Sequence, residues 1–154
     1  MVRVGLGLYG LWPDQKLEKR LSSRIILKPA LTWKTIISEI KTVGAGEFVG
    51  YGFSETLKRK TRLAVCPVGY WHGYPRTLSS IGNVLLRNKK ARIVGRVSMD
   101  MLMIDITNIK NVRVGDEVIL LDSHLLASEA AAIIKTISYE IVTRINPLIK
   151  RFYI

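Results

Sequence analysis

The sequence predicts a mainly β protein, an antiparallel, barrel-like sheet with one or two short helices near the C-terminus. Short runs rich in Val, Ile, Thr and aromatic residues recur at close spacing along 154 residues, separated by turn residues such as Gly44-Ala45-Gly46 and Arg87-Asn88. Only late in the chain does the chemistry change, to the alanine-rich segment Ser128 to Ile134. A hydrophobic fraction of 48% is ample for one core, yet no stretch reaches the ~18 consecutive apolar residues of a membrane span. One domain is the size expectation.

The elements follow in order. Residues 1–10 read as a strand running into a glycine-rich turn, and 11–29, with Pro13, Pro29 and scattered charges, as a connecting loop. Leu31 to Val43 reads as one long strand ended by the glycine turn, Glu47 to Leu57 as a second strand and Arg62 to Val68 as a third. Asn83 to Leu86 and Ala91 to Val94 flank Arg87-Asn88-Lys89-Lys90 as a hairpin. Val97 to Ile106 alternates as a strand, with Met101 and Met103 expected in core packing, and Asp116 to Leu121 follows the turn at Val114-Gly115. Ser128 is the expected cap of a helix to Ile134. Tyr139 to Ile145 fits helix or strand, Pro147 stops it, and Arg151 to Ile154 reads as a short last strand.

Twenty-four basic against 12 acidic residues give a net charge of +12. Such a surplus can serve nucleic acid, an anionic membrane or an acidic partner. The basic residues are dispersed, however, and their densest run, Lys58-Arg59-Lys60-Thr61-Arg62, falls between strands, where a solvated turn is expected. No aromatic residues interleave with arginines on one strand pair, as a single-strand binding surface would require. Nucleic acid is therefore not the expected partner, and a membrane is not either. A single cysteine, Cys66, sits in an apolar strand without a basic neighbour, so it reads as packing. It cannot form an internal disulfide, which together with the lack of a signal-peptide pattern points to the cytoplasm. No metal-ligating cluster is evident.

The informative segments are VRVGLGLYG (Val2 to Gly10), VGYG (Val49 to Gly52), VGYWHGYPR (Val68 to Arg76), GRVSMDMLMID (Gly95 to Asp105) and TISYEIVTRI (Thr136 to Ile145). Each alone is a weak signal. In this order and spacing, across about 140 residues, they resemble the C-terminal part of bacterial alanine racemases, pyridoxal-phosphate enzymes that interconvert L- and D-alanine and supply D-alanine for peptidoglycan. The resemblance implies that residues 1–10 are the remnant of the last strand of a barrel domain and that 11–154 form the C-terminal β domain. In that family the barrel, about 250 residues in size, carries the lysine that bears the cofactor. No such segment is present in these 154 residues, so the chain is expected to need a complementary N-terminal racemase half, and to be inactive alone. The family pairs two subunits head to tail, which makes a homodimer partner a second expectation.

The resemblance assigns roles residue by residue. Arg3 faces the pyridine nitrogen of the cofactor, and Gly5, Leu6 and Tyr139 bind its phosphate. A guanidinium stays charged and accepts no proton, so it keeps that nitrogen unprotonated and moderates the cofactor as an electron sink. Tyr51 is the catalytic base on one face of the substrate, opposite the lysine of the other domain; racemisation needs a proton carrier on each side. A free phenol, with a pKa near ~10, is a weak base at neutral pH and needs neighbouring positive charge. Met99 and Asp100 lie beside the substrate, with the methionine backbone near its carboxylate, and Tyr70, Arg76, Arg96 and Ile137 line the entrance.

Two departures stand out. The family usually reads G-Y-A-D-G where this chain has Tyr70-Trp71-His72-Gly73, and Ser98 stands where cysteine is frequent. Without the barrel, Trp12, Trp33 and Trp71 are candidates for faces that a partner covers. A basic β-barrel module for RNA or another polyanion, and a folded remnant without chemistry, are the alternatives that the residues alone leave open.

Overall fold

The computed structural model describes residue 1 and residues 4–153. Among the described residues nine strands are formed: β1 (Trp33–Ile36), β2 (Glu39–Val43), β3 (Phe48–Val49), β4 (Glu55–Thr56), β5 (Thr61–Cys66), β6 (Asn83–Leu86), β7 (Lys89–Val94), β8 (Leu102–Asp105) and β9 (Glu117–Leu121). Seven of them make one sheet in the order β1-β9-β6-β7-β8-β5-β2, and every pairing is antiparallel. Its two edge strands, β1 and β2, are successive stretches of chain separated by Ile37 and Ser38. The Ile37 N–H donates to the Asp116 carbonyl at 2.9 Å on one side, and the Ser38 N–H to the Val65 carbonyl at 2.9 Å on the other. The sheet therefore curls until its edges meet at a fully buried isoleucine. This is the mainly β, barrel-like fold that the sequence predicts.

That join corrects one expectation. Leu31 to Val43 is not one long strand: an alternating pattern fixes which face is apolar, but it carries no information on where a strand leaves one neighbour for another. The interior is built from Val84, Leu86, Ile93, Leu102, Ile104, Ile106 and Val118, all at most 1% exposed. Burying each such side chain contributes on the order of 1.5–3 kcal/mol. Trp33 belongs to this core and stacks at a tilt on Tyr74, 5.9 Å between ring centres, so it is not an exposed face; Trp12 is half-buried and only Trp71 is open. A satellite cluster of Val49, Leu57, Leu63 and Val94 lies under the small β3–β4 hairpin.

The β6–β7 hairpin forms as expected, with β7 starting already at Lys89. Arg87 and Asn88 have φ values of 52° and 60°, the pair of left-handed residues that a two-residue hairpin turn requires. Arginine is a poor choice there, and its side chain compensates by gripping the Asp116 carboxylate through Nε at 3.1 Å and Nη2 at 3.3 Å. Other boundaries differ from expectation. Glu47 to Leu57 is a two-residue β-hairpin around a loop, because Gly50 and Gly52 break the ladder. Val97 to Ile106 is regular only as β8, and Met101 is exposed in the preceding turn instead of packed in the core; Met103 does pack, against the satellite cluster.

The helices are α1 (Gln15–Leu21), α2 (Ala127–Ile133) and α3 (Ser138–Thr143). The first lies where a loop was expected. Asp14 caps it, its carboxylate accepting the Leu17 N–H at 2.8 Å. Helix α2 begins two residues early, with Leu126 at the cap position and no side-chain cap, so Ser128 does not play the role expected of it. Helix α3 settles the ambiguity at Tyr139 to Ile145 in favour of helix. It packs with α2, and Ala127, Ala131 and Ile141 of the two helices are buried in the core. Leu6–Tyr9 is a 3₁₀ turn ending in the left-handed Gly10, within the glycine-rich turn that residues 1–10 predict, and Arg151 to Tyr153 form no strand. Val2, Arg3 and Ile154 lie outside the described residues. Among the described residues no helix is long and apolar enough to cross a membrane.

Candidate active site

Tyr51 stands at the tip of the β3–β4 loop, 76% exposed. Gly50, Gly52 and Phe53 around it all have positive φ, at 83°, 66° and 51°. Gly50 is required twice over, because an added Cβ would sit 2.8 Å from both the Arg96 nitrogen and the Ser54 Oγ. Phe48 and Phe53, on either side of the loop, meet edge to face with ring centres 5.4 Å apart. An exposed, flexible residue type is thus carried on a backbone with little freedom.

Two consecutive side chains fasten this loop to β7 and the segment that follows it. The Ser54 Oγ accepts the Arg96 N–H at 3.1 Å and donates to the Val49 carbonyl at 3.5 Å. The Glu55 carboxylate accepts three bonds: from the Gly95 N–H at 2.7 Å, from the Ser80 hydroxyl at 2.8 Å and from the Arg92 Nη2 at 2.6 Å. Partial burial alone would raise the Glu55 pKa. The bonds from Arg92, Gly95 and Ser80 outweigh it, and the carboxyl titrates below its ordinary value. The Arg96 guanidinium lies over the same loop, its Nη1 3.4 Å from the position a Gly52 Cβ would take.

The VGYWHGYPR segment is seated on GRVSMD by backbone. Gly69 leaves no room for a side chain, since a Cβ there would fall 2.2 Å from the Ser98 oxygen. The Tyr70 and Trp71 N–H groups donate to the Ser98 and Met99 carbonyls at 3.0 and 2.9 Å. Met99 and Asp100 form the exposed turn beyond, held by the Ser98 hydroxyl, which donates to the Met101 carbonyl at 2.9 Å. Arg76, exposed on the 3₁₀ turn Arg76–Leu78, is tied in through Ser79: that hydroxyl donates to the Arg76 carbonyl and accepts the Val97 N–H at 3.0 Å. Tyr51, Tyr70, Arg76, Arg96, Met99 and Asp100 are therefore carried by segments that bond to one another.

His72 is half-buried and closes its own turn. Its Nδ1 accepts the Gly69 N–H at 3.2 Å, which closes the 3₁₀ turn Tyr70–His72, and its ring meets Trp71 edge-on at 5.0 Å. The turn is also roped to the chain after α3, through the Asn146 side chain donating to the Trp71 carbonyl at 3.0 Å. The histidine therefore works as a local cap, and the 51% exposed Trp71 beside it forms part of the surface.

A second group is built from the chain start and α3. The Tyr139 hydroxyl lies 3.4 Å from the point where a Gly5 Cβ would stand, and Leu6 is buried directly after it. Ile137, at the N-cap of α3, is 59% exposed and borders a cavity of about 460 Å³ that also touches Gly10, Trp12 and Asp14. Arg3 lies outside the described residues. No hydrogen bond among the described residues joins this group to Tyr51 and its neighbours. Nor does a cluster of three His, Cys, Asp or Glu side chains suited to a metal occur among them.

Sequence reasoning passed over Glu55, Ser54 and Ser79, which fix the site. Ser54 and Glu55 follow Gly50 by four and five residues and Ser79 follows Arg76 by three, short polar spacings too common to stand out. The basic run Lys58 to Arg62 is partly consumed by structure: Arg59 pairs with Asp105 at 3.0 Å and Arg62 donates to the Val112 carbonyl at 2.9 Å. Burial pushes the Cys66 thiol up to about 12, consistent with an inert packing residue.

The sequence model of the alanine racemase C-terminal domain matches residues 30–153. The chain belongs to that family. The alanine racemase of Halothermothrix orenii is 47% identical over 157 residues, which cover 99% of this chain and 40% of the relative. Among solved alanine racemases, that of the D-cycloserine producer Streptomyces lavendulae superposes with a TM-score of 0.89 at 36% identity, over 99% of this chain and 40% of that one. The Bartonella henselae enzyme, solved with covalently bound pyridoxal phosphate, gives 0.87 at 31% identity over 97% of this chain and 40% of its own. The chain thus spans about two fifths of the length of these racemases.

Proposed function

We propose that these residues form the C-terminal half of an alanine racemase, with Tyr51 as the proton carrier on one face of the substrate. The observation that supports it best is the mounting of Tyr51: exposed at the tip of a glycine-constrained loop, yet tethered by Ser54 and Glu55 to the segment bearing Arg96. General acid-base catalysis needs both properties, access to the reacting carbon and a fixed position. In this reading residues 1–10 continue the last barrel strand and 11–154 are the β domain.

The residues present fit pyridoxal phosphate. Gly5 offers an exposed backbone with no side chain, and the Tyr139 hydroxyl stands beside it as a donor, a combination suited to a phosphate. When bound, the cofactor supplies an electron sink that acidifies the α-hydrogen of alanine. Tyr51 then takes or returns that proton on its side, and the lysine of the barrel half serves the other. The Met99 backbone and Asp100 face the substrate, and Tyr70, Arg76, Arg96 and Ile137 form the entrance. Arg96 lies over the backbone of the same loop, its Nη1 3.4 Å from the position a Gly52 Cβ would take. In this reading the Tyr51 group and the Gly5–Tyr139 group serve different active sites of a homodimer, each of which draws on two subunits. Cytoplasmic supply of D-alanine for the cell wall is the corresponding role, in keeping with a single, unpaired cysteine.

The test is Tyr51→Phe in racemase assembled from this chain and a barrel half carrying the cofactor lysine. Loss of one acid-base group should lower turnover about 10²–10⁴-fold. Exchange of the α-hydrogen with solvent should fall more for one enantiomer of alanine than for the other. Unchanged turnover in Tyr51→Phe would remove the assignment.

A further inference from the structure

Glu55 is one carboxylate with three donors, two from β7 and its end and one from the turn after Arg76–Leu78. The Gly95 N–H belongs to the residue before Arg96, at the end of the strand β7. The Ser80 hydroxyl belongs to the turn that follows the Arg76–Leu78 segment. Glu55 itself begins the strand leaving the Tyr51 loop. The fourth participant, Arg92, braces the arrangement from β7: besides Glu55 it reaches the Ser80 and Ile93 carbonyls through Nη1, both at 3.3 Å. Ser80 adopts a left-handed φ of 59° and closes the circuit by donating its N–H to the Gly95 carbonyl at 3.1 Å.

We infer that Glu55 is a positioning residue, whose bonds to Arg92, Ser80 and Gly95 set the Tyr51 loop relative to the segments carrying Arg76 and Arg96. This rests on the role proposed above for Tyr51. The physical argument is one of degrees of freedom. The loop has two-residue strands on either side, too short to hold a geometry by ladder hydrogen bonds alone. Bonds to a charged carboxylate are about twice as strong as neutral ones, and three converge here on a side chain only 18% exposed. Ser54 adds a second tether one residue earlier. A displacement near 1 Å at a reacting group can cost about a hundredfold in rate, so a tether of this kind is visible in kinetics. The other charged groups bearing on the pair are Asp105 on β8, which faces Arg92, and Arg59, which neutralises Asp105.

Glu55→Gln keeps the shape but presents an amide donor to Arg92 or to the Ser80 and Gly95 donors, so at least one bond is lost. In the assembled racemase it should lower turnover about ten- to a hundredfold, with the loss concentrated on the same enantiomer's α-hydrogen exchange that Tyr51→Phe impairs. In the chain itself, the amides of residues 50–54 and of Gly95 should exchange with deuterium faster. The Glu55→Gln/Arg92→Gln double variant should be no worse than the more damaged single variant. Ser80→Ala, which deletes one bond of the three, covers the case in which Glu55→Gln does not fold; it should show a smaller loss of the same enantiomer-selective kind. Normal turnover and symmetric exchange per folded Glu55→Gln or Ser80→Ala molecule, beside a crippled Tyr51→Phe, would overturn the inference while leaving the role of Tyr51 intact. An unimpaired Tyr51→Phe would remove that role and this inference with it.

Discussion

Gly50 and Gly46 share nearly the same left-handed φ, +83° and +85°, but not the same surroundings. A Cβ at Gly46 meets nothing within 4 Å, whereas at Gly50 it would collide with the Arg96 nitrogen and the Ser54 hydroxyl. Both alanine substitutions carry the cost of a left-handed residue, about 1–2 kcal/mol. Gly50→Ala should cost more, by about a further 1–3 kcal/mol, because the loop must lift from Arg96 or the strain must be held. Denaturation midpoints of the two variants read this difference directly. Equal midpoints would mean that the Tyr51 loop is not pressed against Arg96. Cys66 and Tyr74, by contrast, are titratable groups with no chemical role here: burial raises both pKa values, so both stay neutral in the core.

At the scale of elements, the hairpin tethered by Glu55 makes stability depend on acid. The Glu55 carboxyl titrates below its ordinary 4.5 in the fold, so the folded state holds the ionised form more tightly than the unfolded chain does. This contribution is fully present above pH 4.5 and is lost as pH falls through the lowered folded value. Glu55→Gln should therefore be less stable than the unmodified chain at pH 7, and the gap should narrow as the solution is acidified below about 4.5. Urea titrations across that range measure the gap; a constant difference would place the stabilisation somewhere other than the carboxylate charge.

The same elements show how far the sequence could be read. The β6–β7 hairpin and β9 declared themselves by apolar runs and turn residues, because short-range chemistry decides them. The alanines did the same for α2. Helix α1 was hidden by its brevity and by Pro13, although Asp14 is an ordinary cap. The break at Ile37–Ser38 depends on which neighbour each half meets across the sheet, which no local pattern encodes. The motifs single out Tyr51, Tyr70, Arg96 and Tyr139 as candidates, but Glu55 reads as any strand glutamate, since its partners lie 25, 37 and 40 residues away.

The whole molecule carries a net charge of +12 together with open apolar side chains, among them Ile26, Phe53, Leu148 and Phe152. In the proposed reading a barrel half and a second subunit cover part of this surface. In that reading the two groups of candidate residues, one around Tyr51 and one around Gly5 and Tyr139, come together in one active site only in such an assembly. Complementation tests this most directly. The chain is mixed with the separately produced, cofactor-loaded barrel half of the Halothermothrix orenii racemase, and conversion of L-alanine to D-alanine is followed. The relative's own C-terminal half serves as the positive control. Turnover should appear in the mixture and be absent from either half alone. A mixture that sediments as a complex but remains inactive, while the control pair works, would contradict the account, as would turnover by these 154 residues alone.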